Sequence, residues 1–165
     1  MSGVLNRMRW ARRFERPVVR RLVSGMAGAE KTIDIDATPE EVFAVITDYE
    51  AYPEILKEIE SAQIRSRVGN QVEADFTINL IKRVSYTLAL TENPPLHLAW
   101  RAVKGPFKTN IGSWRLERLR DGRTRAHYAV EVTVGVFVPK SISNRVVGQS
   151  LPAILESFKR RIEGR

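Results

Sequence analysis

The chain has 165 residues, a length that suits one domain with a real core, and carries a formal charge of +8. It contains no cysteine, which excludes a disulfide scaffold, a thiol nucleophile and cysteine metal sites and fits a reducing compartment. No apolar run approaches the length of a membrane span. The charge is unevenly placed. Residues 1–29 hold seven arginines against the single acid Glu15, whereas residues 30–165 hold 20 basic and 18 acidic side chains. The chain therefore divides into a basic leader, 1–29, and a nearly neutral domain, 30–165.

In the leader, Val4, Met8, Ala11, Val18 and Leu22 share one helical stripe, and Arg9, Arg13, Arg16 and Arg20 lie opposite, with Pro17 as a break. This is the pattern of a basic amphipathic helix that lies on an anionic membrane, with Trp10, Arg9 and Arg13 as contacts. The competing readings are a solvated extension, an organelle transit peptide (Arg-rich, acid-poor) and an RNA- or ribosome-binding arm. It is not a secretory signal, because arginines interrupt any apolar stretch. Ser24, Gly25 and Gly28 read as a linker.

Residues 30–36 alternate, with Ile33 and Ile35 on one face, and predict a first strand. Thr38, Pro39, Glu40 and Glu41 form a helix start, with a threonine cap, proline in the first turn and acids at the positive end. A turn and a second short helix follow around Tyr52 and Pro53. Six strands come next. Ile64 and Val68 mark the first of them, then Val72, Ala74, Phe76, Ile78 and Leu80, then Val84, Tyr86, Leu88 and Leu90. After a turn at Asn93, Pro94 and Pro95 come Leu96, Leu98 and Trp100. A loop at residues 105–108 leads to Gly112, Trp114 and Leu116, and an Asp121–Gly122 turn to Ala126, Tyr128, Val130, Val132 and Val134. Clean alternation with short turns means an antiparallel sheet, dry on one face. Residues 140–165 carry Ile142, Val146, Val147, Leu151, Ile154, Leu155, Phe158 and Ile162 at helical spacing, with Pro152 predicting a bend over residues 147–151. That helix is the element available to cover the dry face.

The run TPEEVFAVITDYEAYP at residues 38–53 resembles the opening motif of START-like (SRPBCC) domains of the polyketide cyclase and coenzyme Q-binding type. GSWRL at 112–116 and VPKSI at 138–142 resemble that family's late strand and its entry to the last helix. The resemblance covers residues 30–165. It implies an α+β helix-grip fold, β-α-α-β6-α, in which a curved antiparallel sheet of about seven strands wraps a long C-terminal helix around an apolar cavity. Members of this group bind lipids, isoprenoid quinones, polyketides or plant hormones, and one branch is ribosome-associated. Fold alone does not choose among these.

The inward face carries no acid, base or histidine; its polar handles are two phenols and two indoles. His97 and His127 fall on the outer face, and neither a metal site nor a phosphate loop is present, so no catalytic residue, metal or cofactor is expected. The expected ligand contacts are Phe76, Ile78, Tyr86, Leu88, Trp100, Trp114, Tyr128 and Val130 from the sheet, and Leu151 and Leu155 from the helix. Phe107 and Phe137, each followed by a nearby lysine, are the expected loop contacts with a membrane. The reading is a non-enzymatic carrier of a hydrophobic small molecule, an isoprenoid quinone or a lipid, in the cytoplasm at a membrane surface. The alternatives are a polyketide aromatase/cyclase and a ribosome- or RNA-associated regulator.

The leader makes a testable claim. Each basic residue near an anionic surface contributes about 1 kcal/mol. The full chain should therefore co-sediment with anionic vesicles, less so as salt rises, while a chain starting at Ala29 should not. Trp10 fluorescence should report a salt-resistant, inserted remainder. Equal binding by both chains, or by neither, removes the membrane role.

Overall fold

The computed structural model describes residues 26–79, 82–135 and 150–164. Seven strands form one antiparallel sheet in the order β1-β7-β6-β5-β4-β3-β2. They are β1 (Met26–Ile35), β2 (Ile59–Val68), β3 (Gln71–Asn79), β4 (Arg83–Asn93), β5 (His97–Lys104), β6 (Phe107–Arg118) and β7 (Thr124–Val134). Among the described residues three α-helices accompany them, α1 (Pro39–Ile46), α2 (Tyr52–Ile55) and α3 (Ser150–Ile162), with a 3-10 turn at Tyr49–Ala51 before α2. β1 and β2 are consecutive strands at opposite edges of the sheet, so α1 and α2 carry the chain from one edge to the other.

Local chemistry accounts for most element boundaries. Thr38 caps α1 through a full capping box: its hydroxyl accepts from the Glu41 amide at 3.4 Å, and the Glu41 carboxylate accepts from the Thr38 amide at 2.7 Å. Pro39 opens the helix, where a missing N–H costs nothing. The Tyr52 hydroxyl donates to the Ile46 carbonyl at 2.7 Å, satisfying an acceptor at the end of α1 and fixing α2 beside it. Gly122 has φ +85° in the β6–β7 turn, a conformation that glycine alone adopts without strain. Register shifts in the β2–β3, β4–β5 and β6–β7 pairs are the bulges that curve the sheet.

Buried residues alternate along β3, where Val72, Ala74, Phe76 and Ile78 face inward. Leu88 and Leu90, Leu98, Trp114 and Leu116 continue that face across the sheet. From α3, Leu155 and Phe158 enter the core, joined by Val42, Phe43 and Ile46 of α1. The far end of α3 is tied to the sheet by Glu163, whose carboxylate accepts from the Asp36 amide at 2.8 Å.

Several boundaries differ from the sequence reading. Gly28, read as linker, lies in β1, which pairs with β7 from Met26↔Thr133 onward. Removing the leader while keeping this strand therefore means starting at Met26. Leu96 precedes β5 and is 46% exposed, and Val68, at the end of an edge strand, is 77% exposed. Phe107 opens β6 instead of standing in a loop. Leu80, the side chain of Leu151, Phe137, the leader residues Arg9, Trp10 and Arg13, and most of the bend predicted over 147–151 lie outside the described residues.

One buried polar network joins the α1–α2 connection to the sheet. Tyr49 is fully buried, and its hydroxyl donates to Glu92 Oε1 at 2.8 Å, while Arg67 donates to Glu92 Oε2 at 2.7 Å. Glu92→Ala leaves the Tyr49 hydroxyl without its acceptor, and the expected cost is about 1–3 kcal/mol, read as a lowered urea midpoint. An unchanged midpoint would mean that water replaces the carboxylate.

Candidate functional site: an aromatic-walled cavity

The core is not filled between the sheet and α3. A cavity of about 170 Å³ lies there. Strands β3 to β7 supply its wall, Tyr52 and Leu56 of the α2 region close one side, and Ile154 and Phe158 of α3 close another. All the sheet residues predicted as contacts line it: Phe76, Ile78, Tyr86, Leu88, Trp100, Trp114, Tyr128 and Val130. They converge because inward positions on neighbouring antiparallel strands stand opposite one another, as in the pairs Phe76↔Tyr86 and Trp114↔Tyr128.

Their rings touch in an unbroken series. Trp100 and Tyr128 are 5.5 Å apart, Tyr128 and Trp114 4.8 Å, Trp114 and Phe158 5.6 Å, and Phe158 and Tyr52 5.2 Å. Tyr52 then meets Phe76 at 5.9 Å, and Phe76 stacks on Tyr86 at 5.7 Å. Such contacts add about 0.5–1.5 kcal/mol each beyond area burial, so the wall is held by its own members. Phe107 ends the series, half-buried and edge-on to Tyr86 at 5.2 Å, not a free loop tip.

The helix side differs from expectation. Leu155 is fully buried in the core and does not line the cavity; Ile154 and Phe158 do. Adjacent helical positions differ by about 100°, so a small rotation of the helix exchanges which of them faces the void.

Three polar residues that the sequence reading omitted also line the cavity: Tyr52, Asn110 and Glu58. Asn110 is 8% exposed, and its Oδ1 accepts from Trp100 Nε1 at 3.2 Å. Its position was recoverable from period two, since 110 shares parity with 112, 114 and 116; placing the start of the strand too late concealed it. Glu58, in the α2–β2 connection, retains 26% side-chain exposure and has Lys57 Nζ at 4.0 Å. No strand pattern reaches it, and it corrects the expectation of a site without any acid.

Burial pushes the Tyr86 and Tyr128 phenols well above their ordinary value, and Tyr128 is raised further by Tyr86. Burial does the same to Tyr52, which also senses Tyr128 and Tyr86. The three phenols are thus within electrostatic reach of one another and remain protonated at physiological pH. The histidines stand elsewhere. His127 pairs on the outer face with Thr32 at 2.9 Å and Glu117 at 3.6 Å, and burial, then Arg115, lowers His97.

Fold and cavity together define a domain of the helix-grip type, with an aromatic-walled cavity between the sheet and the last helix. The family model for polyketide cyclase / dehydrase and lipid transport matches residues 35–159, and the chain belongs to that family. A START superfamily protein from Mycobacterium smegmatis superposes with TM-score 0.72 at 19% identity, over 86% of this chain and 99% of that one. The Zhui aromatase/cyclase from Streptomyces sp. R1128 gives 0.68 at 18% identity, over 83% and 96%. The protein TTHA0849 from Thermus thermophilus gives 0.67 at 20% identity, over 84% and 94%. At these identities the likeness is one of fold. No curated protein matches the chain.

Gly112 sets the depth of the wall. A Cβ there would stand 2.2 Å from Trp100 Cζ2 and 2.6 Å from the Ala129 carbonyl oxygen. Two atoms of the indole, Cζ2 and Cε2, occupy the space a side chain would need, and the backbone oxygen is held in the strand ladder. Gly112→Ala should cost about 1–3 kcal/mol in urea unfolding and displace Trp100, shifting its fluorescence. A variant of unchanged stability and spectrum would refute this packing.

Proposed function

We propose that the protein is a non-enzymatic carrier that holds the ring head of a hydrophobic molecule, an isoprenoid quinone or a ring-bearing lipid, and collects it at a membrane surface. The observation that carries the reading is the cavity wall: aromatic and aliphatic apart from the amide of Asn110 and one carboxylate, Glu58, its only charged member among the described residues. A flat ring gains both apolar burial and edge or face contacts there. At about 170 Å³ the cavity is small beside pockets that run to about 300–1,000 Å³, so it suits a ring head and leaves a long chain outside. A ligand of that kind dissolves poorly in water, and the arginine-rich leader offers the membrane contact that collection requires. The family's description, which includes lipid transport, supports the same reading.

Glu58 favours a second reading, an aromatase/cyclase, because general base catalysis needs a titratable group within reach of the substrate. The two are separated by substitution. Native mass spectrometry and solvent extraction of the purified protein should recover a neutral hydrophobic compound. Val130→Trp, which fills the cavity, should lower its occupancy at least ten-fold while the fold survives by circular dichroism. Glu58→Gln should leave occupancy unchanged. Loss of ring-closing activity on a poly-β-ketone in Glu58→Gln, with binding retained, would favour the cyclase. A Val130→Trp protein that binds as before would remove the cavity from the function altogether.

A further inference from the structure

Apart from the Glu58 carboxylate, every polar side chain that lines the cavity among the described residues carries a hydrogen-bond donor. The Asn110 amide is oriented by Trp100, whose indole N–H can only donate and so takes Oδ1, leaving the NH₂ group outward. Among the described residues, the Tyr86 and Tyr128 hydroxyls make no hydrogen bond, and no buried side-chain polar atom lacks a partner. Both hydroxyls therefore reach open space, and both residues line the cavity. A phenol oxygen can also accept, but each of these hydroxyls still has a proton to place. No lysine or arginine among the described residues lines the cavity, and its one charged member, Glu58, is an acid.

From this donor set we infer that the cavity selects a neutral ring compound through a carbonyl oxygen, received by Tyr86, Tyr128 and the Asn110 amide, and rejects carboxylates. The inference rests on the carrier reading and names the ligand class for the same cavity. A carbonyl oxygen has two lone pairs and no proton of its own, so it satisfies donors that a hydrocarbon leaves bare. A carboxylate would be stripped of water with no cation among the described lining residues to meet it and with Glu58 nearby. Ring ketones and quinones enter head first; fatty acids and other anionic amphiphiles do not.

The test uses three matched bicycles and the full chain. Equilibrium dialysis would measure binding of 1-tetralone, tetralin and tetralin-1-carboxylate to the wild type, Tyr86→Phe, Tyr128→Phe and the double variant, with folding checked by circular dichroism. Hydrogen bonds of this kind are worth about two- to ten-fold each. The double variant should therefore lose about ten-fold or more in tetralone affinity while tetralin is unchanged or tighter. At pH 7 the carboxylate should bind the wild type at least ten-fold more weakly than the ketone. An unchanged tetralone-to-tetralin ratio in the variants, or a carboxylate that binds as well as the ketone, overturns the inference and leaves the carrier reading standing. If no bicycle binds, the carrier reading falls with it.

Discussion

Phe158 is the contact on which the arrangement depends. Its ring stands edge-on to Trp114 of β6 and to Tyr52 of α2, so one side chain joins the last helix to the sheet and to the short helices. With Leu155 fully buried beside it, Phe158 seals the core below. Glu163 holds the helix end to the Asp36 amide. A helix pinned this firmly along one part of its length cannot settle deeper into a curved sheet, and the space it leaves is the cavity. The void is thus a consequence of where packing stops, not of a separate binding element.

Among the described residues the wall of that void carries one charged side chain, Glu58, and is otherwise built of rings, aliphatic groups and one amide. Successive aromatic contacts from Trp100 round to Tyr86 set every ring after Trp100 against at least two neighbours. Gly112 makes room for the Trp100 indole, and Asn110 takes the indole proton. The shape of the cavity is therefore prepared before any ligand arrives, which lowers the ordering cost of binding. Burial holds the Tyr86 and Tyr128 phenols in their protonated form, so these two residues present donors.

Most of the charge lies on the outside. Arg65 with Asp75 pairs the neighbouring strands β2 and β3, while Arg125 with Asp34 and Arg118 with Glu40 join elements distant in sequence. Exposed pairs like these contribute little to stability, typically under about 1 kcal/mol each. They are better understood as fixing register on a face that has no apolar pattern to fix it. The Tyr49–Glu92–Arg67 network differs, because its phenol is fully buried and its carboxylate nearly so.

Much of this molecule is written in short-range pattern. A strand turns successive side chains to opposite faces, so alternation from Val72 to Val134 was enough to assign the sheet, its dry face and the aromatic residues that the sheet turns inward. Thr38, Pro39 and Glu41 similarly announced α1, because a capping box is complete within four residues. Tertiary structure decided the rest. Whether Leu155 or Ile154 meets the cavity depends on the rotation of α3 against its neighbours, which helical periodicity leaves open over a broad stripe. Glu58 reaches the cavity because α2 folds back over the sheet, a path no local pattern encodes. The existence of the void itself was beyond the sequence, since the same apolar residues make a filled core or a pocket wall, and only the summed packing of all of them leaves a space.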